Sequence, residues 1–238
     1  MSDEEGSPIV EHLLQQAFAE ADPTPPLLQL LKEHPKVVDD LLVQSYMEAV
    51  EENPSRGNAL ASALARLITS PEAPTFGPED WDTLAGRINR ELAFQHFKVI
   101  YGDEAKPEAY GPKNQYLLDS LLSGLSLKHR LTSTSDQYAA IDDGLDPPQG
   151  SDKGEVLVIG TCIQLLLHGS VMVTERAGSY RKRAEVVAAK LKAQKVAGTV
   201  KDPHAIQVLE LAISHAETGF KPENNHDCVW DLLFPLNP

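Results

Sequence analysis

The stretch VLVIGTCIQLLLHGSVMV, from Val156 to Val173, decides the fold class, because it carries no formal charge in a chain where 24% of residues are charged. A transmembrane helix needs about 20 apolar residues to cross about 30 Å of hydrocarbon. Gln164 and His168 lie near the middle of the stretch, and each costs free energy in a lipid interior. No aromatic residue marks either boundary. We therefore expect the central helix of a bundle, with membrane insertion as the alternative.

Most other segments repeat their apolar residues at the three- and four-residue steps of an α-helix. The pattern predicts helices near 80–101, 113–131, 154–175, 179–197 and 203–218. Asn53-Pro54 and Asp202-Pro203 each resemble a helix start, since asparagine and aspartate cap helices and proline suits the first turn. The chain is therefore predicted to be all-α, a multi-helix bundle of about seven to nine helices.

Composition divides the chain into four parts. Proline and glycine mark a linker, and a turn-rich stretch forms the longest predicted loop. The predicted parts are an acidic N-terminal region with a helical hairpin at 1–70, a linker at 71–80, a main bundle at 81–218 containing the loop 132–153, and a tail at 219–238.

Charge is unevenly distributed along a chain whose net charge is −14. Residues 1–52 carry twelve acids and two lysines, whereas residues 176–201 carry eight bases against Glu185 alone. This basic segment is either a solvated or internally packed helix face, or a docking surface for nucleic acid or an acidic partner. The candidate contact residues are Arg181, Lys182, Arg183, Lys190 and Lys192.

The tail carries a second candidate surface. Trp230, Leu233 and Phe234 have the i, i+3, i+4 spacing of a helix that anchors in a partner's groove. The alternative is that the same face packs on the chain's own bundle.

No residue pattern predicts catalysis. Cys162 and His168 are six residues apart and point away from one another on a helix, so Cys162 is expected to be a small buried hydrophobe. His226, Asp227 and Cys228 are adjacent, and adjacent side chains seldom converge on one point. His204 and His215 share one side of a predicted helix but lie too far apart to share a metal. We expect no enzyme activity, no cofactor and no metal.

The location of the chain is predicted from its cysteines and its first residues. Two cysteines make no disulfide framework, and no charged-then-apolar leader follows Met1. A cytoplasmic protein is expected.

The segment LLQLLKEHPKVVDDLLVQSYMEAVEENPSRGNALASALARLI, residues 27–68, resembles helical segments that precede tetratricopeptide repeats or caspase-like protease domains in bacterial multidomain proteins. The matching features are the leucine-rich run, His34-Pro35, Asp39-Asp40 and an alanine-leucine second helix. The resemblance implies a protein-interaction region in a bacterial signalling or defence system.

The expected function is therefore a non-enzymatic adaptor, regulator or assembly subunit that binds other proteins or itself. A nucleic-acid-associated subunit using 176–201 is one alternative. A membrane-active helical protein using 156–173 is the other.

Overall fold

The computed structural model describes residues 3–34, 40–72, 110–131, 144–145, 154–175, 177–221 and 226–235. Within these ranges the chain forms nine α-helices with defined bounds and no β-strand, which confirms the all-α prediction. The helices are α1 Asp3–Ala19, α2 Thr24–Glu33, α3 Asp40–Glu52, α4 Gly57–Ile68, α5 Gln115–Lys128, α6 Gly154–Glu175, α7 Ala177–Ala197, α8 Pro203–Glu217 and α9 Val229–Leu233.

The described residues separate into two compact units. The first contains α1 to α4 together with residues 129–131, and the second contains α5 to α9 with Gly144 and Leu145. The predicted helix near 80–101, most of the linker 71–80 and most of the loop 132–153 lie outside the described residues.

The first unit buries the apolar faces of four amphipathic helices against one another. Helix α1 packs on α2 and α3, and α4 packs on α2 and α3. The predicted hairpin corresponds to α3 and α4, to which α1 and α2 add a second pair. Its largest fully buried side chains are Leu14, Phe18, Leu27, Leu31, Leu42, Tyr46, Leu60, Leu64 and Leu67.

The two predicted helix starts behave differently. The Asp202 carboxylate accepts hydrogen bonds from the backbone N–H groups of His204 and Ala205, both at 2.9 Å, which confirms the predicted cap. Asn53 makes no side-chain capping bond. A 3₁₀ turn at Pro54–Arg56 follows it, and α4 begins only at Gly57. The Asn53-Pro54 and Asp202-Pro203 pairs predicted both helix starts to within a few residues, but only Asp202 caps its helix.

The second unit is organised around α6. Helix α6 packs against α5, α7, α8 and α9, and every residue from 156 to 169 is buried. Residues 156–169 of the uncharged stretch therefore form a core helix, as predicted. Across the described part of the chain, none of the helices combines the length and the apolar character needed to cross a membrane.

Part of the predicted loop 132–153 packs on α6. Gly144 and Leu145 are helical and buried, and the Gln194 amide donates a hydrogen bond to the Leu145 carbonyl at 3.3 Å. A Cβ atom on Gly144 would lie 2.0 Å from the Thr161 hydroxyl oxygen. Glycine therefore allows this segment to approach α6 closely.

Candidate functional site: the exposed face of helix α7

Helix α7 carries most of the predicted basic segment and has one buried side. Ala184, Val187, Ala188 and Leu191 are buried, and α7 packs against α6 and α8. Their spacing of three and four residues gives one apolar face, which holds the helix on the unit.

A second apolar stripe on α7 faces solvent. Val196 is 90% exposed and Val186 is 53% exposed. At 100° per residue the stripe occupies an arc of about 100°. The spacing 186, 189, 193, 196 is that of the apolar a and d positions of a coiled coil. We name it the α7 stripe; it consists of Val186, Ala189, Ala193, Val196 and Ala197, all exposed.

Lys190 and Lys192 lie beside the α7 stripe, and two lysines of α7 are paired with acids of α8. Lys195 contacts Glu210 at 2.6 Å, and Lys192 forms an ion pair with Glu217. These four side chains are about half exposed, and pairs of this kind contribute about 0–1 kcal/mol each. The basic charge of α7 is thus partly neutralised by pairs that can open at little cost.

The remaining predicted basic residues occupy different positions on α7. Arg183 and Lys190 are partly buried, and both have interaction partners. Arg181 and Lys182 belong to the helix, but their side chains lie outside the described set. The structure therefore places all five candidates on one helix without assembling them into one described cluster.

The tail packs on its own unit. Trp230 and Leu233 are buried, and Phe234 is partly buried. The Phe234 ring contacts Trp230 and Tyr110, with centroid distances of 4.9 Å and 5.5 Å. The tail therefore packs on its own unit, which is the alternative to docking in a partner's groove. In this conformation Trp230 and Leu233 are not accessible as anchors for a partner.

Cys162 and His168 are both enclosed by the second unit. Burial raises the pKa of the Cys162 thiol far above its usual range, so the thiolate nucleophile does not form at neutral pH. Burial lowers the pKa of His168 from 6.5 to about 4. Among the described residues, neither ring nitrogen of His168 has a hydrogen-bond partner. Both side chains therefore belong to the core, as the sequence predicts for Cys162.

His215 and His226 meet in the structure. Their Nε2 atoms are 3.2 Å apart and their ring centroids are 4.9 Å apart. His215 is 6% exposed and His226 is partly exposed. No cluster of three or more histidine, cysteine or acidic side chains suited to a metal occurs within the described ranges.

No protein-family model matches the sequence, and no curated protein and no solved structure is detectably similar to it.

Proposed function

We propose that the chain is a non-enzymatic, cytoplasmic protein-interaction module that docks a partner on the α7 stripe, acting as an adaptor, regulator or assembly subunit. The observation that carries the proposal is the exposure of Val196 (90%) and Val186 (53%) on the same stripe. Single exposed valines are ordinary on protein surfaces. A row of exposed apolar residues, four of them at coiled-coil spacing, is what an amphipathic partner helix covers.

The charges beside the stripe favour an acidic partner helix. Lys190 and Lys192 stand at the two positions that border an a/d seam, where charge selects the partner. A second copy of α7 would oppose lysines with lysines, which disfavours pairing of this face with itself. An acidic helix could instead replace Glu217 as the counterion of Lys192. The two free cysteines of the described residues, Cys162 and Cys228, fit a reducing compartment.

The test compares two substitutions of exposed apolar residues. Val196→Asp introduces a charge into the stripe, whereas Ile9→Asp alters a residue of the first unit that is 57% exposed. Burying one valine contributes about 1.5–3 kcal/mol. Val196→Asp should therefore weaken partner binding by about 10- to 100-fold, and Ile9→Asp should not change it.

Partners are first captured from lysate of the source cells with tagged full-length chain and identified by mass spectrometry. The dissociation constant of the recombinant partner is then measured for the wild type and both variants, with circular dichroism as the check on folding. Equal affinity of Val196→Asp and wild type, with both folded, would exclude the α7 stripe as the docking surface.

The same preparation separates a nucleic-acid role from a protein-binding role. Labelled duplex DNA and single-stranded RNA are titrated with the wild type at 50 and 200 mM salt. Binding through several phosphate contacts would fall by orders of magnitude between these salt concentrations. Because the chain has a net charge of −14, which repels a polyanion, we expect weak binding at both concentrations. Tight, steeply salt-dependent binding would favour the nucleic-acid-associated subunit instead.

A further inference from the structure

His215 and His226 are brought together by a chain reversal after α8. His215 lies in the last turn of α8, and Gly219 and Phe220 both have positive φ, at 77° and 53°. The backbone N–H of His226 then donates to the Leu166 carbonyl of α6 at 3.3 Å. Both histidines are therefore held by helices of the second unit.

The distance between the two ring nitrogens matches a pair of metal ligands. Zinc–nitrogen bonds are about 2.0–2.1 Å long, so two of them at a tetrahedral angle place their nitrogens about 3.3 Å apart. The Nε2 atoms of His215 and His226 are 3.2 Å apart. Two nitrogens at square-planar Cu²⁺, which meet at a right angle, would lie closer, at about 2.9 Å.

We propose that His215 and His226 form a two-histidine zinc site, whose remaining tetrahedral positions are occupied by water. His226 is partly exposed, which leaves the site open to solvent on that side. The bound ion would link the tail to α8 and, through the Leu166 carbonyl, to α6.

The surroundings keep both imidazoles in the form that binds metal. A histidine binds zinc through an unprotonated nitrogen. Burial lowers the pKa of His215, and the neighbouring His226 lowers it further. Burial also lowers the pKa of His226, against the raising effect of Asp227. Burial of both rings thus favours the neutral imidazole. In the metal-free protein, one ring can donate a hydrogen bond to the other.

Asp227 and Cys228 lie next to His226 in the sequence and carry groups that can bind zinc. The experiment must therefore distinguish their contribution to zinc binding from that of the histidines. The Asp227 carboxylate forms an ion pair with Lys128, which competes with metal binding by that side chain. Cys228 is an exposed free thiol two residues from His226, and thiolates bind zinc well. A variant at Cys228 therefore belongs in the test.

The experiment measures Zn²⁺ binding to metal-free full-length chain by isothermal titration calorimetry at pH 7.4, with visible absorption of the Co²⁺ form as a second readout. The variants are His226→Gln, which alters the more exposed ligand, and Cys228→Ser. The matched control is His204→Gln, which alters an exposed histidine on the same helix as His215. Circular dichroism confirms that each variant is folded.

We expect one equivalent of zinc in the wild type, His204→Gln and Cys228→Ser, and a change in the Co²⁺ absorption spectrum with the same three proteins. Removing a residue that hydrogen-bonds to a metal ligand weakens metal binding by about 10- to 100-fold, so removing a ligand itself in His226→Gln should weaken zinc binding by at least about 100-fold. Zinc should also raise the thermal midpoint of the wild type but not that of His226→Gln. Absence of binding to the wild type overturns the proposal. Unchanged affinity of His226→Gln also overturns it.

Discussion

Replacing His168 with leucine should stabilise the protein, although histidine is the native residue. His168 is fully buried, and among the described residues neither ring nitrogen has a hydrogen-bond partner. A buried polar group without a partner costs about 1–3 kcal/mol. Leucine has a similar volume and suits the apolar surroundings of α6. His168→Leu should therefore raise the free energy of unfolding by about 1–3 kcal/mol at pH 7.5.

The same burial makes His168 a source of acid sensitivity. Its pKa falls from 6.5 when unfolded to about 4 when folded, so between these pH values the unfolded chain binds more protons. Stability is therefore unaffected above pH 6.5 and decreases as the pH falls toward 4. At pH 5 the loss from this one group is about 2 kcal/mol. The advantage of His168→Leu over wild type should grow by that amount between pH 7.5 and pH 5.

Urea unfolding followed by far-ultraviolet circular dichroism at both pH values measures these two effects. His168→Gln is the matched control, because it keeps a buried polar group but cannot titrate. It should be no more stable than wild type at pH 7.5, yet should lose the additional acid sensitivity. A His168→Leu variant that is less stable than wild type at pH 7.5 would refute the reasoning. So would an advantage that does not change with pH.

Two further substitutions test packing and capping. A Cβ atom on Gly169 would lie 2.5 Å from the Phe220 ring, so Gly169→Ala should destabilise by about 1–3 kcal/mol through overpacking. The resulting fall in thermal midpoint should exceed that of Gly154→Ala, whose Cβ would lie 3.2 Å from Thr199; an equal fall would contradict the account. Asp202→Ala should cost about 1 kcal/mol, since it removes two capping bonds. Asn53→Ala, which removes no such bond, should be nearly neutral in the same urea unfolding assay, and equal losses would show that the cap contributes little.

Local residue patterns determined the helices of this protein. The uncharged run 156–173 and the periodic segments after it predicted α6, α7 and α8 to within a few residues, because helical period depends on neighbours three and four positions away. The burial of Cys162 and the cap at Asp202 followed in the same way. Both depend on short-range features, an apolar helix in one case and an Asp-Pro pair in the other.

Tertiary structure alone decided which apolar faces are covered. Val186 and Val187 are adjacent and chemically identical, yet Val187 is buried by the unit and Val186 is exposed. The heptad spacing of the α7 stripe is visible in the sequence, but its exposure is not, because the partners of a helix face come from distant segments. Trp230 and Leu233 illustrate the opposite case, in which the spacing of a docking helix is used for packing within the chain. The contact between His215 and His226 depends on the reversal at Gly219 and Phe220 and on the Leu166 carbonyl. The spacing of the two histidines in the sequence does not predict this contact, because the contact depends on how α8, the tail and α6 pack together.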